Sequence, residues 1–279
     1  MQVAANPLLV DVVSEKKASS FLSLSQFIKS VGSMIGPFVA AVLGPFVANL
    51  IGYEGAGTWR FGLYLFGVIS LLSWIWLSVT EIEESESEDV NTSLSSCLKL
   101  LGNRYILLMV LGIFAVVGID VAINSNIGTF LNLKIGIGDE ASKYGKSVYF
   151  FAKMVGTFIG AIILMKWDPK KFLGLSTILA LVFVIALSFT NNELSSWIFV
   201  GVISLGVSNI FPLIYSITVT QYPNRANEIS GLMMMAISGG AIFPFLVRFS
   251  MKYHLNGGLW VIMSLLIFIL LLGRLKSQK

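Results

Sequence analysis

The sequence predicts an all-α, polytopic membrane protein. Of its 279 residues, 56% are hydrophobic and only 12% are charged, whereas a soluble domain carries about a quarter of its residues as Asp, Glu, Lys and Arg. Apolar runs of roughly 20 residues, the length that crosses a hydrocarbon core of about 30 Å, recur along the chain. The protein is therefore expected to cross a membrane several times, as helices.

Eight full spans are predicted from the alternation of apolar runs and polar breaks. They lie near residues 24–50, 60–80, 105–131, 146–166, 172–190, 196–220, 229–250 and 258–274. The first ten residues lack the basic start and the cleavage site of a signal peptide, and their pattern is typical of the tail of another span. The distribution of Lys and Arg among the connections favours a cytoplasmic 11–20 loop.

One connection differs from the others in its charge. Residues 81–89 read Glu-Ile-Glu-Glu-Ser-Glu-Ser-Glu-Asp, and such a charge-dense stretch is typical of a flexible linker. Two parallel six-helix repeats joined by a cytoplasmic linker would give this pattern. The predicted organisation is thus an incomplete N-terminal bundle at 1–80, an acidic cytoplasmic linker at 81–103, and a six-helix C-terminal bundle at 104–279.

Motifs in several predicted spans carry a family resemblance. They are Gln-Val-Ala-Ala-Asn-Pro at 2–7, Leu-Ser-Gln at 24–26, Gly-Ser-Met-Ile-Gly-Pro at 32–37, and further motifs at 114–121, 154–160, 209–212 and 236–244. In this order they resemble helices four, five, seven, eight, ten and eleven of the fucose/glucose/galactose:proton symporters of the major facilitator superfamily. The resemblance implies an N-terminally incomplete major facilitator fold, which lacks the first three helices and most of the fourth.

The resemblance also implies a function. Such proteins are secondary active transporters that move a hexose-type sugar by alternating access in the plasma (inner) membrane, and proton coupling and a monomeric state are expected. Gln2 stands where the fucose branch has a glutamate, and an amide cannot carry a proton. Missing helices would supply one wall of the central cavity, so we expect the 279-residue chain alone not to catalyse net sugar uptake.

Three ionisable side chains fall inside predicted spans: Lys29, Asp120 and Lys153. A charge in hydrocarbon costs a few kcal/mol, so such residues usually face a water-filled cavity or a partner. Asp120 lies about 16 Å, and Lys153 about 11 Å, from the outer ends of neighbouring antiparallel spans. The two are therefore able to pair, either as a static structural ion pair or as part of the transport pathway. Because a nearby ammonium favours the carboxylate, we expect Asp120 to be an electrostatic partner rather than the proton carrier.

Polar side chains that share a helix face are the candidates for sugar binding. Gln26 and Lys29 are three residues apart, and Asp120 and Asn124 are four apart, so each pair shares a face. Sugar hydroxyls need amide and charged partners of this kind. Asn209 is a further candidate, although Asn124 and Asn209 fit equally well as amides that hydrogen-bond between helices.

Two stripes of small residues, Gly32-xxx-Gly36 and Gly156-xxx-Gly160, permit close approach of helices. In transporters that look like this one, the fifth and eighth helices meet across the two halves, and smooth contact there would permit rocking. Ordinary static packing is an equally good account of each stripe.

Other classes of protein fit the sequence less well. The chain has one histidine, no His-Glu-x-x-His and no Gly-x-Ser-x-Gly, so neither an enzyme, a metal site nor a cofactor is predicted. The basic residues behind its formal charge of +4 lie mostly at span ends, which argues against nucleic-acid binding and for contact with membrane lipid. The alternative is a membrane protein that does not transport, either an inactive fragment or a transporter-derived sensor. In-frame coding sequence upstream of Met1 would discriminate between a transporter and this alternative.

Overall fold

The computed structural model describes residues 2–38, 42–53, 57–80 and 94–275. Within these ranges the regular structure is helical, without a β-strand, so the all-α prediction is confirmed. The α-helices are α1 Gln2–Val12, α2 Glu15–Phe38, α3 Gly44–Leu50, α4 Trp59–Val79, α5 Leu94–Leu100, α6 Arg104–Ile135, α7 Asp139–Ile163, α8 Pro169–Phe189, α9 Glu193–Val207, α10 Ile210–Gln221, α11 Ala226–Met235, α12 Gly239–Tyr253 and α13 Gly257–Leu272.

Several of these helices are long and apolar enough to cross a membrane. In the described part of the chain there are five such stretches: Arg60–Val79, Arg104–Ile135, Pro169–Phe189, Glu193–Gln221 and Pro223–Tyr253. Two shorter apolar helices are Ser147–Ile163 and Gly257–Leu272. Each predicted span from residue 60 onward overlaps one of these stretches, which agrees with a multi-pass membrane protein.

Two predicted connections prove much shorter than expected. The 11–20 loop shrinks to Val13 and Ser14, because α1 extends to Val12 and α2 begins at Glu15. A serine followed by an acidic residue is favourable at a helix N-terminus, and the polarity of this segment therefore reflects a helix start. The 132–144 loop shrinks to 136–138, where Gly136 ends α6 with a φ of 70°, a conformation that suits glycine.

The chain divides into two compact units. Unit 1 comprises Met1–Phe27 and Asn91–Lys279, and unit 2 comprises Ile28–Val90. In unit 1, α6 packs against α7, α10, α12 and α13, and α9 packs against α7 and α8. In unit 2, α3 packs against α4, and α4 leaves most of its apolar side chains exposed. The division predicted at residues 80 and 103 stays a prediction.

The long Glu193–Gln221 stretch is interrupted between α9 and α10. Pro212 has no backbone N–H and so leaves the carbonyl of Ser208, four residues earlier, without its helical donor. The helix consequently breaks at Ser208 and Asn209 and resumes at Ile210. This break presents the Asn209 side chain to the neighbouring helix α7.

Also within unit 1, the short helix α5 packs against α11. The Ser96 hydroxyl donates a 2.9 Å hydrogen bond to Glu228 Oε1, and Arg225 forms an ion pair with the same buried carboxylate. The segment that follows the acidic connection is thus attached to the start of α11.

Candidate functional site

A carboxylate of α6 is held by two side chains of α7. Lys153 Nζ donates to Asp120 Oδ2 at 2.6 Å, and the Tyr149 hydroxyl donates to Asp120 Oδ1 at 2.8 Å. Both oxygens of Asp120 therefore have a donor, and one of the donors is a cation. The structure thus pairs the two charged residues whose depths in adjacent spans had suggested pairing.

Helix geometry explains why these groups meet. Tyr149 and Lys153 are four residues apart on α7, so they lie on one helix face. Tyr149 is fully buried, and its carbonyl accepts a 2.6 Å hydrogen bond from Ser204 of α9. Because packing fixes the aromatic ring and α9 fixes its backbone, the phenol can hold Asp120 in a defined orientation.

The ion pair is partly exposed. The side chains of Lys153 and Asp120 are 20% and 28% exposed, so both can contact a ligand. Asn124 lies one turn beyond Asp120 on α6 and is also partly exposed. An ammonium has three N–H donors, and within the described residues Lys153 uses one of them, on Asp120. The arrangement can therefore both donate to and accept from the hydroxyl groups of a sugar.

Gln26 is buried in the part of α2 that belongs to unit 1. This segment packs on α7, since Ser20 donates to the Ala161 carbonyl at 2.6 Å and the rings of Phe27 and Phe158 are 5.1 Å apart. Phe158 is five residues from Lys153, or about 7.5 Å along the helix. The five-residue separation also turns Phe158 about 140° around α7 from Lys153, so this contact places Gln26 beside α7 but not on the face of the ion pair. Lys29, by contrast, lies at an exposed position of α2 in unit 2.

Asn209 takes part in helix packing. Its amide nitrogen donates to the Gly156 carbonyl at 2.8 Å and to the Ser208 hydroxyl at 3.0 Å. A Cβ on Gly156 would lie 2.5 Å from Ser208 Oγ, and a Cβ on Gly160 would collide with the Asn209 amide. Gly156 and Gly160 thus leave room on α7 for the break between α9 and α10. This close contact favours static packing as the account of the stripe. This contact supports the interhelical alternative for Asn209.

A separate small cavity of about 20 Å³ lies among α6, α8, α9, α12 and α13. Its lining is apolar apart from Asn126, whose amide nitrogen already donates to the carbonyls of Ala122 and Pro244. A sugar needs several convergent polar groups, so this cavity does not suit one. Within the described residues, no cluster of three or more His, Cys, Asp or Glu side chains could hold a metal ion.

Sequence reasoning missed Tyr149 and Ser204. A tyrosine or serine inside an apolar run fits ordinary packing, and neither stands out by charge. The spacing of four residues between Tyr149 and Lys153 was the one available signal.

Comparison with known proteins gives the family. The model of the Major Facilitator Superfamily matches residues 1–244. A glucose/galactose transporter of Brucella abortus biovar 1 (strain 9-941) is 27% identical over 255 residues, which are 88% of this chain and 60% of the Brucella protein. The chain thus spans about 60% of the length of that relative.

Solved structures agree on the fold. The crystal structure of the Major Facilitator Superfamily transporter FucP in the outward conformation matches with a TM-score of 0.85 at 19% identity, covering 100% of this chain and 73% of FucP. A variant of the E. coli fucose:proton symporter FucP matches with a TM-score of 0.84, with the same identity and coverage. The chain belongs to the Major Facilitator Superfamily.

Proposed function

We propose that the chain is part of a secondary active transporter for a hexose-type sugar of the fucose, glucose or galactose class. It works by alternating access, as a monomer in the plasma (inner) membrane, with protons as the coupling ion. The observation that carries this proposal is the partly exposed ion pair of Asp120 and Lys153 inside two apolar helices. The names of the Brucella relative and of FucP support the sugar class.

The pair supplies what a sugar requires. Lys153 has donors left for sugar oxygens, and a carboxylate accepts about four hydrogen bonds, of which Asp120 uses two. Asn124, one turn away, adds an amide. Gln26 is the first candidate on α2, and Lys29 and Asn209 are weaker candidates.

Asp120 acts in this proposal as an electrostatic partner. Both of its carboxylate oxygens already accept from donors of α7, one of them cationic, and the coupling proton is assigned in this proposal to another group. The three regions 1–80, 81–103 and 104–279 serve as the N-terminal bundle, the cytoplasmic linker and the C-terminal bundle. The contacts around Asp120 support the assignment of the sugar path to the α6 and α7 side of the C-terminal bundle.

Equilibrium binding tests the sugar site. The purified chain in lipid nanodiscs is titrated with labelled D-glucose, D-galactose and L-fucose, and we expect saturable binding of at least one of them. Lys153→Met should weaken that binding by about tenfold or more, the value of a hydrogen bond to a charged group. Lys166→Met, at an exposed position after α7, is the matched control and should leave the affinity unchanged. No saturable binding of any of the three sugars by folded protein would refute the proposal.

Uptake by cells separates transport from sensing. Deletion of the gene that encodes the chain should reduce uptake of the bound hexose, and complementation with the complete gene should restore it. Unchanged uptake after deletion, combined with sugar binding, would support the sensor alternative and contradict a transporter.

A further inference from the structure

Helices α6 and α7 form one wall of the proposed sugar site, and this wall carries two opposite charges that cancel. In the sequence, residues 105–133 contain one charged side chain, Asp120, and residues 147–163 contain one, Lys153. Their charged atoms lie 2.6 Å apart. A ligand at this wall therefore meets strong donors and acceptors but no net charge.

A charged sugar would disturb this balance. The carboxylate of a sugar acid would compete with Asp120 for Lys153 and would lie near a like charge. The ammonium of an amino sugar would compete with Lys153 and be repelled by it in the same way. Like charges at hydrogen-bonding distance are unfavourable even at a partly exposed site, because their repulsion is only partly screened. An uncharged hexose can bind both groups while the pair stays intact.

We infer that the Asp120–Lys153 pair is a charge filter, which selects uncharged hexoses and excludes sugar acids and amino sugars. This inference rests on the proposed function and adds the determinant of its specificity. Tyr149 is a positioning residue here, because its buried hydroxyl fixes Asp120 Oδ1 and leaves Oδ2 to Lys153.

Single substitutions should change the specificity in opposite directions. Asp120→Asn keeps the shape and the acceptor for Tyr149 but leaves the ammonium of Lys153 without its counter-charge. It should therefore improve binding of D-glucuronate relative to D-glucose. Lys153→Met leaves the carboxylate without its counter-charge and should improve binding of protonated D-glucosamine. In each case we expect the ratio of dissociation constants to change about tenfold or more, the value of a hydrogen bond to a charged group.

The experiment measures dissociation constants for D-glucose, D-glucuronate and D-glucosamine at mildly acidic pH, with the chain in nanodiscs. Glu193→Gln removes a negative charge at an exposed position of α9 and should leave the ranking unchanged. Tyr149→Phe keeps both charges of the pair and should keep glucose as the preferred sugar.

The outcomes separate the inference from the proposed function. If the wild type binds no sugar, both are overturned. If the wild type prefers glucose but both charge variants keep that ranking, the filter is overturned and the sugar site stands. If Asp120→Asn does not fold, Lys153→Met with glucosamine decides alone. If neither variant folds, the wild type decides, because glucuronate or glucosamine binding as tight as glucose would overturn the filter.

Discussion

The ion pair between Asp120 and Lys153 should appear as a coupling energy in the stability of the protein. Asp120→Asn and Lys153→Met each leave one polar group without its main partner, and the double variant removes both charges. Breaking a fully buried pair from one side costs about 3–5 kcal/mol. Here the side chains are 20% and 28% exposed, so water solvates the remaining charge and each single variant should lose less than that.

The size of the coupling follows from the geometry. At 2.6 Å, Coulomb attraction is about 6 kcal/mol for an effective dielectric constant of 20. Desolvation of both charges cancels most of this attraction. We therefore expect a net coupling of about 2 kcal/mol, within the range found for contacting residues. The double variant should be more stable, by this amount, than the sum of the single effects predicts.

These variants form a double-mutant cycle. Reversible unfolding in mixed micelles of mild detergent and SDS measures the free energy of unfolding of the wild type, the two single variants and the double variant. A second cycle, which pairs Lys153→Met with the remote Glu193→Gln, is the control and should be additive within about 0.5 kcal/mol. If the Asp120 and Lys153 effects also added within that limit, the pair would not be a unit, and its role in the site would be refuted.

Three further outcomes follow from the packing and the site. Gly206→Ala should lower the free energy of unfolding by about 1–3 kcal/mol through overpacking, since its Cβ would meet backbone atoms of α8 at 2.8 Å. Gly174→Ala is the control, because its Cβ would enter open space, and it should be neutral or stabilising. Equal stability of the two variants would contradict this contact. Gln26→Ala should weaken hexose binding by about 0.5–1.5 kcal/mol, and unchanged affinity for all three sugars removes Gln26 from the site. Cysteines replacing Gly138 and Lys166, in a cysteine-free background, should label from opposite membrane sides, and same-side labelling would contradict the crossing of α7.

Depth along a span was enough to suggest the central pair from the sequence. Charged residues are rare in apolar helices, and antiparallel neighbours bring residues of similar depth together, so Asp120 and Lys153 were natural partners. Their role in transport stays a prediction. Tyr149 was missed because an aromatic side chain in a span fits lipid contact or packing equally well. Its hydrogen bond to Asp120 could be recognised only from the packing of α7 against α6 and α9.

The amide of Asn209 illustrates a second limit. The sequence left sugar binding and interhelical bonding open, because both need an amide in a span. Its contact with Gly156 depends on a helix break that Pro212 causes and on two glycines of another helix. Helix ends were the other weak point, since polar segments at helix N-termini resemble loops in composition.

Protection of Asn124 by sugar is the most direct test of the claim that this side of α6 lines the sugar path. Cysteine is placed at Asn124, or at Leu111 as a control, in a Cys97→Ser background, and reacted with a small membrane-permeant thiol reagent. Leu111 is nine residues from Asp120, about half a turn away around α6, and is exposed. We predict that saturating hexose slows labelling of Asn124→Cys and leaves Leu111→Cys unchanged. Equal labelling of Asn124→Cys with and without bound hexose would contradict the account.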